Sequence, residues 1–402
     1  MADRGFPGWP CYAPDEIAAV TRVLESGKVN YWTGEEGRQF EREFAEYHGA
    51  KYGVAVANGT VALELALCAL GIGEGVEVVV TPRTFLASVS SIVLRGARPV
   101  FADVDRDSGN ITPETVRRVI TDKTRVVMPV HLAGWPCDMD GIIGLAQENG
   151  LYVIEDCAQA HGASWQGRMV GSFGEIGAFS FCTDKIMTSA GEGGMVLTND
   201  LDLWRRMWSY KDHGKDWDAV YNREHPPGFR WLHESFGTNW RLTEMQSAIG
   251  RVQLGKLDGW LERRRENARI LIEGLSQVPG LRVPVPDKGA GHAYYRFYAY
   301  VEPEQLKAGW SRDRVMEAVT GLGVPCMQGI CPEVYLEKAF QDSGRWSGGG
   351  GLRPKERLPV ARELGETSLM FLVHPTLGTS EMEESVRVVK KVMKEAIGGK
   401  TG

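Results

Sequence analysis

Three short stretches of the sequence hold residues that could do chemistry together, and the first surrounds Lys185. This lysine follows the apolar run 178–181 and precedes the run of small residues at 190–194. A lysine withdrawn from water is a nucleophile that forms Schiff bases with carbonyl compounds. The alternative is that Lys185 pairs with Asp184 or extends to the surface along its apolar stem.

The second stretch, IEDCAQAHGA at 154–163, places Glu155 and Asp156 at the end of an apolar strand. Because a charged group is rarely buried without a partner, such an acid is expected to face a cation or a metal ion. A metal site is disfavoured because the sequence holds no second cluster of acids and histidines. We expect the isolated His131 and His161 to be hydrogen-bonded scaffold, and no metal is predicted.

The third stretch is Asn58-Gly59-Thr60, between a predicted strand and a predicted helix. A glycine lets the backbone approach a ligand closely, and the free N–H groups of a helix's first turn attract anions such as phosphate. The alternative is an ordinary turn in which Thr60 caps the helix. Together the stretches supply an amine, an acid and a phosphate cradle, which are the parts that pyridoxal phosphate chemistry requires.

Buried strands alternate with helical stretches between residues 50 and 200. The predicted strands cover residues 52–57, 76–81, 99–104, 125–131, 152–156, 177–181 and 194–198. Their nearly continuous apolar character is typical of strands buried on both faces, which favours a mainly parallel sheet covered by helices. Such α/β sheets bind ligands at the carboxyl ends of their strands, where the three stretches lie.

The remaining sequence predicts a second, smaller unit. Charged helical patterns at 202–212 and 243–274 form a connecting segment, and a smaller α/β unit follows from about residue 280. We predict a large domain of residues 1–255, with the N-terminal segment, and a small domain of residues 256–402, with the linking helix. Within the small domain, residues 331–340 are predicted to face the substrate, and the glycine-rich run 347–351 to be a mobile surface loop.

Composition excludes several functional classes. The chain of 402 residues has a formal net charge of -6, which argues against a nucleic-acid partner or an anionic membrane surface. Its seven cysteines are scattered and form no closely spaced pairs, so a reducing cytoplasm is the expected location. No segment reaches the roughly 20 apolar residues of a membrane span, and no secretion signal is recognised.

Several motifs occur in an order known from one enzyme family: GVAVANGTVALELAL, PRTFLAS, FADVD, VVMPVHLAG, IEDCAQAHGA, FSFCTDKIMTSAGEGGMVLTND, KDHG and GTNWRLTEMQSAIGRVQL. The chain resembles the DegT/DnrJ/EryC1/StrS family of sugar aminotransferases along nearly its whole length. The spacing from Ser180 to Lys185 fits the family pattern S-F-x-x-x-K, and GEGG follows at the expected distance. The resemblance implies the type I aminotransferase fold, with a mainly parallel seven-stranded sheet in the large domain, and pyridoxal 5'-phosphate as cofactor.

The resemblance also implies a role for single residues. Lys185 would be the catalytic lysine, forming the Schiff base (the internal aldimine) and later moving the substrate proton. Asp156 would pair with the pyridine nitrogen of the cofactor, Gln159 would contact its phenolic oxygen, and Phe85 would stack on its ring. The backbone at Gly59 and Thr60 and the Ser180 hydroxyl would hold the phosphate, assisted by Asn239, which would reach across from a partner subunit. A homodimer with shared active sites is therefore expected.

The reaction implied by the resemblance has two halves. Glutamate or glutamine gives its amino group to the cofactor, and the keto group of a nucleotide-linked sugar then receives it, with ping-pong kinetics. Trp32 and Arg241 could lie near the acceptor or its phosphates, since arginine suits phosphate recognition. The alternatives for these two residues are a packed aromatic ring and a structural ion pair.

Some features depart from the family or leave alternatives open. Relatives with histidine in place of the lysine are sugar dehydratases, and Lys185 argues against that branch. Cys182-Thr183 replaces the H-P found in many relatives. The segments GWPCY and YWTGEEGRQFEREF resemble members that act on aminocyclitol or aminohydroxybenzoate precursors, so a cyclitol or related ring ketone is the alternative acceptor. A pyridoxal phosphate-binding regulatory protein without turnover is a further alternative. A nicotinamide enzyme is disfavoured, because the one glycine cluster that resembles its fingerprint, GIGEG at 71–75, follows a helix instead of a strand.

Overall fold

The computed structural model describes residues 5–341 and 351–397 of the chain. Its strands in those residues are β1 (Tyr52–Val56), β2 (Glu77–Val80), β3 (Arg98–Phe101), β4 (Thr124–Met128), β5 (Tyr152–Asp156), β6 (Ser164–Trp165), β7 (Arg168–Met169), β8 (Ile176–Ser180), β9 (Gly194–Thr198), β10 (Leu281–Arg282), β11 (Ala290–Gly291), β12 (Phe297–Val301), β13 (Cys326–Met327) and β14 (Ser368–Phe371). The helices are α1 (Pro14–Ser26), α2 (Glu36–Tyr47), α3 (Gly59–Ala69), α4 (Ala87–Leu94), α5 (Pro113–Arg117), α6 (Met139–Asn149), α7 (Leu201–Tyr210), α8 (Trp217–Tyr221), α9 (Glu244–Leu254), α10 (Leu257–Leu275), α11 (Arg312–Gly321), α12 (Pro359–Thr367) and α13 (Thr379–Ala396).

Seven strands form the central sheet, in the order β1-β9-β8-β5-β4-β2-β3. Neighbouring strands pair in parallel except at β9, which runs antiparallel to both β1 and β8. All seven predicted strands are present, and the predicted α/β class with a mainly parallel sheet is confirmed. Strands β8 and β9 are buried at every residue, as their unbroken apolar sequences predict.

The strand ends position the chemistry-bearing residues. Asn58 follows β1, Asp156 ends β5, and Ser180 ends β8, which leads directly into the loop with Lys185. Strands β1, β5 and β8 run in the same direction, so their carboxyl ends meet at one edge of the sheet. Phe85 lies in the turn after β2, at that same edge.

Helices cover both faces of the sheet, and their caps follow from the sequence. Pro113 occupies the first turn of α5, and Thr112 caps that helix by accepting a hydrogen bond from the Thr115 amide at 3.3 Å. The charged stretch at 243–274 forms two helices, α9 and α10, which are separated at Gly255 and Lys256. The short helix α8 lies between α7 and a long irregular segment.

A second sheet has the order β10-β12-β14-β13, and we call it the C-terminal sheet. Helices α10, α11 and α13 pack with it around a separate apolar core, which we call the C-terminal core, that includes Leu271, Val315, Phe371 and Val389. A small third sheet joins β11 to β6 and β7. The predicted domain boundary at residues 255 and 256 stays a prediction.

Two further sequence predictions concern loops and membranes. Residues 347–350 of the predicted glycine-rich loop lie outside the described residues. Among the helices of the described residues, none combines the length and the apolar character needed to cross a membrane.

Candidate active site

A cavity of about 650 Å³ opens at the edge of the central sheet where β1, β5 and β8 end. Seven of the predicted site residues line it together: Gly59, Thr60, Phe85, Asp156, Gln159, Ser180 and Lys185. Tyr295, which precedes β12 in the C-terminal sheet, and Ile330 close its opposite wall. The sequence prediction that three distant stretches share one site therefore agrees with the geometry of the chain.

Asp156 is the buried acid of the cavity, with only 3% of its surface exposed. One carboxylate oxygen accepts a hydrogen bond from the Ser88 hydroxyl at 2.7 Å, and the other accepts one from the Ala158 amide at 3.1 Å. Burial raises the pKa of Asp156, although both hydrogen bonds and the charge of Lys185 act in the opposite direction. A positive charge placed beside this acid would relieve the cost of burying its ionised form.

Gln159 lies one turn beyond Asp156 and is also buried. Its side-chain oxygen accepts a hydrogen bond from the Ala133 amide at 2.8 Å. Ala133 adopts a left-handed backbone, with φ of 57°, so the carboxamide holds an unusual turn in place. Because Oε1 is occupied, the Nε2 amide is the donor that Gln159 can offer to a ligand in the cavity.

Gly59 and Ser180 form the tightest contact in the cavity wall. A Cβ added at Gly59 would lie 2.5 Å from the Cβ of Ser180 and 2.9 Å from its hydroxyl, so only glycine fits there. Helix α3 is capped by Asn58, whose side chain accepts from the Val61 amide at 3.0 Å. The amides of Gly59 and Thr60 precede the first intrahelical hydrogen bond and are free to bind an anion.

The alternative reading in which Thr60 caps α3 is wrong. Asn58 has the extended backbone of an N-cap residue, with φ of -166°, whereas Thr60 is already the second helical residue. Thr60 therefore presents its amide to the cavity instead of acting as the cap.

Lys185 directs its side chain toward the cavity, and 16% of that side chain is exposed. Its amine lies 3.9 Å from the Asp184 carboxylate, beyond hydrogen-bond distance, and 4.9 Å from the centre of the Tyr295 ring. Asp184 has closer partners, because it accepts hydrogen bonds from the Tyr295 hydroxyl and, at 3.0 Å, from Arg296. Although burial raises the pKa of Asp184, Lys185, Tyr295 and Arg296 together lower it below its usual value, so this acid stays ionised.

Two further side chains line the cavity, the exposed Phe85 and the half-buried Cys182. Phe85 is 66% exposed, so one face of its ring is free to contact a flat ligand. The Cys182 thiol lines the cavity, with its sulfur 3.7 Å from the Glu192 carboxylate. Burial raises the pKa of Cys182, so the neutral thiol is its form near neutral pH.

Three predicted residues lie outside the cavity. Asn239 is exposed on the surface, and its backbone bridges to Asp212. Trp32 and Arg241 meet at the buried carboxylate of Asp212, which accepts from the Trp32 indole at 2.7 Å and from Arg241 at 2.5 Å. Lys215 completes what we call the Asp212 cluster, with its amine 3.2 Å from the same carboxylate.

Glu155, the acid next to Asp156, has contacts that are typical of a structural residue. His131, Glu155 and Cys157 bring potential metal ligands within 4.8 Å of one another. Glu155, however, accepts hydrogen bonds from His131 and from backbone amides at 2.7 to 3.2 Å, those of Gly171, Phe173 and Gly174. Burial also raises the pKa of Cys157 well above its usual value, which keeps it a thiol. These contacts fit a structural role for Glu155 and His131.

The residues of the cavity match the chemical needs of pyridoxal phosphate. Asp156 is a buried acid that lacks a cationic partner within hydrogen-bond distance in the described residues. The contact between Gly59 and Ser180 forms a narrow cradle beside free helix N–H groups, which suits a phosphate group. The Lys185 amine lies in the same cavity, 3.9 Å from the Asp184 carboxylate.

Sequence reasoning missed residues that support this site. Ser88 holds Asp156 and in turn contacts the Thr84 hydroxyl at 2.8 Å, and its position one turn after Phe85 in PRTFLAS is the only local signal. Tyr295 comes from a distant part of the chain.

The prediction that residues 331–340 face the substrate is not supported, because Val334, Tyr335 and Phe340 pack into the core beneath the central sheet, and only the preceding Ile330 lines the cavity.

Known proteins resemble this chain over nearly its full length. The sequence profile described as the DegT/DnrJ/EryC1/StrS aminotransferase family matches residues 10–392. The chain is 35% identical to dTDP-3-amino-3,4,6-trideoxy-alpha-D-glucose transaminase of Streptomyces venezuelae, covering 93% of this chain and 90% of that protein. It is 40% identical to L-glutamine:2-deoxy-scyllo-inosose aminotransferase of Streptomyces fradiae, covering 83% and 79% of the two chains.

A solved structure also resembles this chain over nearly its full length. The X-ray structure of an aminotransferase from Psychrobacter cryohalolentis is 56% identical in sequence, with a TM-score of 0.94 over 97% of this chain and 99% of that chain. The agreement covers both the central and the C-terminal sheets.

Proposed function

This chain belongs to the DegT/DnrJ/EryC1/StrS aminotransferase family and is a pyridoxal phosphate-dependent aminotransferase, and from that premise we propose that it aminates a nucleotide-linked keto-sugar. Glutamate or glutamine is the proposed amino donor. Donor and acceptor use the same cavity in turn, so the donor product leaves before the acceptor binds, which gives ping-pong kinetics.

The proposed roles follow from the positions of the side chains. Pyridoxal phosphate, when bound, supplies an electron sink for the carbanion formed at the substrate carbon. Asp156 would hold the proton on the ring nitrogen, Gln159 would donate to the phenolic oxygen, and Phe85 would cover the ring face. Ser180 with the amides of Gly59 and Thr60 would bind the phosphate.

Lys185 would have two tasks in this arrangement. Its Nζ atom would bind the cofactor's aldehyde carbon in the resting enzyme and, once displaced by substrate, would move the proton at the substrate Cα. The ionised Asp184 3.9 Å away and the Tyr295 ring at 4.9 Å would keep the amine in the cavity between these tasks.

The proposed homodimer is supported by a loop that is poorly covered in a single chain. We call residues 222–238 the aromatic loop, because it exposes Phe229, Trp231 and Phe236 to 75%, 79% and 99%. The rings of Phe229 and Trp231 contact each other, with centroids 4.8 Å apart, and adjoining exposed aromatic side chains of this kind mark protein interaction surfaces. Asn239 comes directly after the loop and is itself exposed, so a second copy seated on this face would bring Asn239 toward its partner's cavity.

The charges of the cavity give a second reason for a shared site. Among the described residues, its lining contains three acids, Asp156, Asp184 and Glu192, but a single cation, Lys185. Anionic substrates therefore need positive charge from elsewhere. The Asp212 cluster, next to Asn239 along the backbone bridge, combines one acid with the cations Lys215 and Arg241 and so has a net positive charge.

The net positive charge of the Asp212 cluster is the single observation that carries the choice of a nucleotide-linked acceptor. In a dimer this cluster would lie near the partner's cavity, where arginine and lysine suit the diphosphate of a nucleotide sugar. The Trp32 ring, with the Lys215 amine 3.9 Å from its centre, would make the neighbouring contact surface. An uncharged cyclitol would gain nothing from this charge.

A cyclitol ketone or related ring ketone remains the second candidate. The relative from Streptomyces fradiae carries the name of a deoxy-scyllo-inosose aminotransferase and is 40% identical to this chain. The observation that favours it is this identity, which is higher than that to the transaminase of a dTDP-sugar at 35%. A regulatory protein without turnover is not favoured, because the amine, acid and phosphate positions are all occupied by suitable residues.

The acceptor is tested by charging the enzyme with glutamate and removing the free donor by gel filtration. Keto-sugars linked to dTDP, UDP or GDP and scyllo-inosose are then added separately, and the aminated products are measured by mass spectrometry. Arg241→Gln should raise the KM for a nucleotide-linked acceptor about tenfold or more without changing the glutamate half-reaction. Arg205→Gln, on the exposed face of α7, is the matched control. Amination of scyllo-inosose alone would favour the second candidate.

A further inference from the structure

The N-terminal segment contacts the backbone of Lys185, although the two are far apart in sequence. We call residues 5–13 the N-terminal strap. The Trp9 indole N–H donates a hydrogen bond of 2.8 Å to the main-chain carbonyl of Lys185, 176 residues later. This carbonyl belongs to the residue proposed to carry the amine, so the strap acts on the candidate active site from outside the cavity.

The same strap is attached to the C-terminal core. Phe6 packs against that core, and the Gly8 carbonyl accepts a hydrogen bond of 3.0 Å from the Thr376 hydroxyl. The strap therefore contacts the C-terminal core through Phe6 and Gly8, and it contacts Lys185 through Trp9. The strap would transmit a movement of the C-terminal core relative to the central sheet to the Lys185 carbonyl.

The orientation of the Trp9 ring is fixed by its neighbours. Trp260 meets the ring edge to face, with centroids 5.1 Å apart, and His374 stacks on it at 6.1 Å. The guanidinium carbon of the buried Arg264 lies 5.4 Å from the ring centre. With three neighbours around the ring, the indole N–H has one direction, and that direction is toward the Lys185 carbonyl.

Backbone and side-chain hydrogen bonds also fix the rest of the loop that holds Lys185. The Lys185 amide donates to the Cys182 carbonyl at 3.1 Å, and the Thr188 amide donates to the Gln253 side chain at 2.8 Å. Trp9 supplies the third attachment, at the peptide group that follows Lys185. Because the orientation of that peptide helps to set the direction of the Lys185 Cα–Cβ bond, the indole hydrogen bond helps to aim the amine.

We propose that Trp9 is a positioning residue, which orients Lys185 through its carbonyl and couples the lysine to the C-terminal core. The proposal rests on the function proposed for Lys185 above. A misplacement of a reacting group by about 1 Å can cost on the order of a hundredfold in rate. Loss of this hydrogen bond is therefore expected to change how the lysine presents its amine more than it changes the stability of the fold.

The test compares Trp9→Phe with Trp260→Phe in the holoenzyme. Trp9→Phe removes the N–H donor and keeps an aromatic ring, whereas Trp260→Phe disturbs the same aromatic packing without touching the Lys185 carbonyl. Two measurements are made: the visible circular dichroism of the bound cofactor without substrate, and kcat and KM of the glutamate half-reaction. Melting temperature reports the structural cost of each variant.

The proposal predicts that Trp9→Phe alters the visible circular dichroism and lowers kcat about tenfold with KM for glutamate nearly unchanged, while Trp260→Phe does neither. Equal dichroism and kcat in the two variants, with equal losses of melting temperature, would overturn it. If Trp9→Phe does not fold, Thr376→Val releases the strap at Gly8 and should shift the same dichroism; a wild-type spectrum there would also overturn the coupling. The dichroism is measured without turnover, so its outcome is separate from that of Lys185→Ala.

Discussion

The hydroxyl of Ser88 donates a hydrogen bond of 2.7 Å to the carboxylate of Asp156, across 68 residues of sequence. Ser88 lies in the first turn of α4 and Asp156 at the end of β5, so packing of the helix against the sheet brings the two together. The bond fixes one oxygen of the acid, and the Ala158 amide fixes the other. Asp156 consequently has a defined orientation before any ligand arrives.

Ser88→Ala is expected to weaken the enzyme without unfolding it. The substitution removes one hydrogen bond to a carboxylate, which is worth about 1.5–3 kcal/mol, so kcat/KM for glutamate should fall roughly tenfold to a hundredfold. Ser90→Ala, on the same helix but bonded only to the Ala87 carbonyl at 3.4 Å, is the control. Steady-state kinetics with glutamate checks the prediction, and equal behaviour of the two variants would show that Ser88 does not support the acid.

Asp156→Asn should change how the stability of the apoprotein depends on pH. Burial raises the pKa of Asp156 in the folded chain above its ordinary value of 3.8. An acid with a raised folded pKa costs the folded state nothing below its unfolded pKa, and destabilises it progressively as pH rises through the folded value. The apoprotein of Asp156→Asn should therefore gain melting temperature relative to wild type as the pH rises above 3.8. A difference that stays constant as the pH rises would mean that Asp156 is not destabilised by burial.

Gly59→Ala should impair cofactor binding specifically. The new Cβ would lie 2.5 Å from the Cβ of Ser180, so the cradle must widen. Overpacking of this kind costs about 1–3 kcal/mol, which corresponds to a roughly ten- to hundredfold rise in the Kd for pyridoxal phosphate, measured by absorbance titration of the apoprotein. Gly144→Ala, where the added Cβ meets no atom within 4 Å, should bind normally. Unchanged affinity in Gly59→Ala would place the phosphate elsewhere.

Mixed dimers test the contribution of Asn239 from a partner subunit. Lys185→Ala and Asn239→Ala should each be nearly inactive alone. If the sites are shared, co-refolded or co-expressed mixtures would contain hybrid dimers in which one of the two sites keeps both residues, and activity would reappear. Lack of recovery, in mixtures shown by affinity tags to contain hybrids, would place Asn239 and Lys185 in the same subunit's site or leave Asn239 without a role.

The central sheet was predictable because its strands are continuous apolar segments, and β5 and β9 occur at the predicted residues 152–156 and 194–198. The end of a strand was harder to predict where a residue has no backbone N–H to donate a hydrogen bond. The strand predicted at 125–131 ends at Met128, because Pro129 has no N–H to continue the ladder and only an isolated bridge joins Val130 to Asp156.

Contacts between distant residues could not be predicted from single-sequence patterns. Trp32 and Arg241 were singled out separately, but nothing in the sequence showed that both bind Asp212. The bond from Trp9 to the Lys185 carbonyl likewise depends on how the N-terminal strap crosses the fold. Residue chemistry and local spacing predicted the amine, the acid and the glycine turn that line one cavity, whereas their supporting partners came from tertiary packing.

The role of Lys185 is tested most directly by trapping it. The purified enzyme is incubated with pyridoxal phosphate, reduced with borohydride and digested, and the modified peptide is identified by mass spectrometry, with Lys185→Ala treated in parallel. We predict a cofactor adduct on Lys185 in the wild type, its absence from the variant, and loss of transfer from glutamate in a variant that keeps its fold. An adduct on another lysine, or wild-type turnover by Lys185→Ala, would contradict the mechanism.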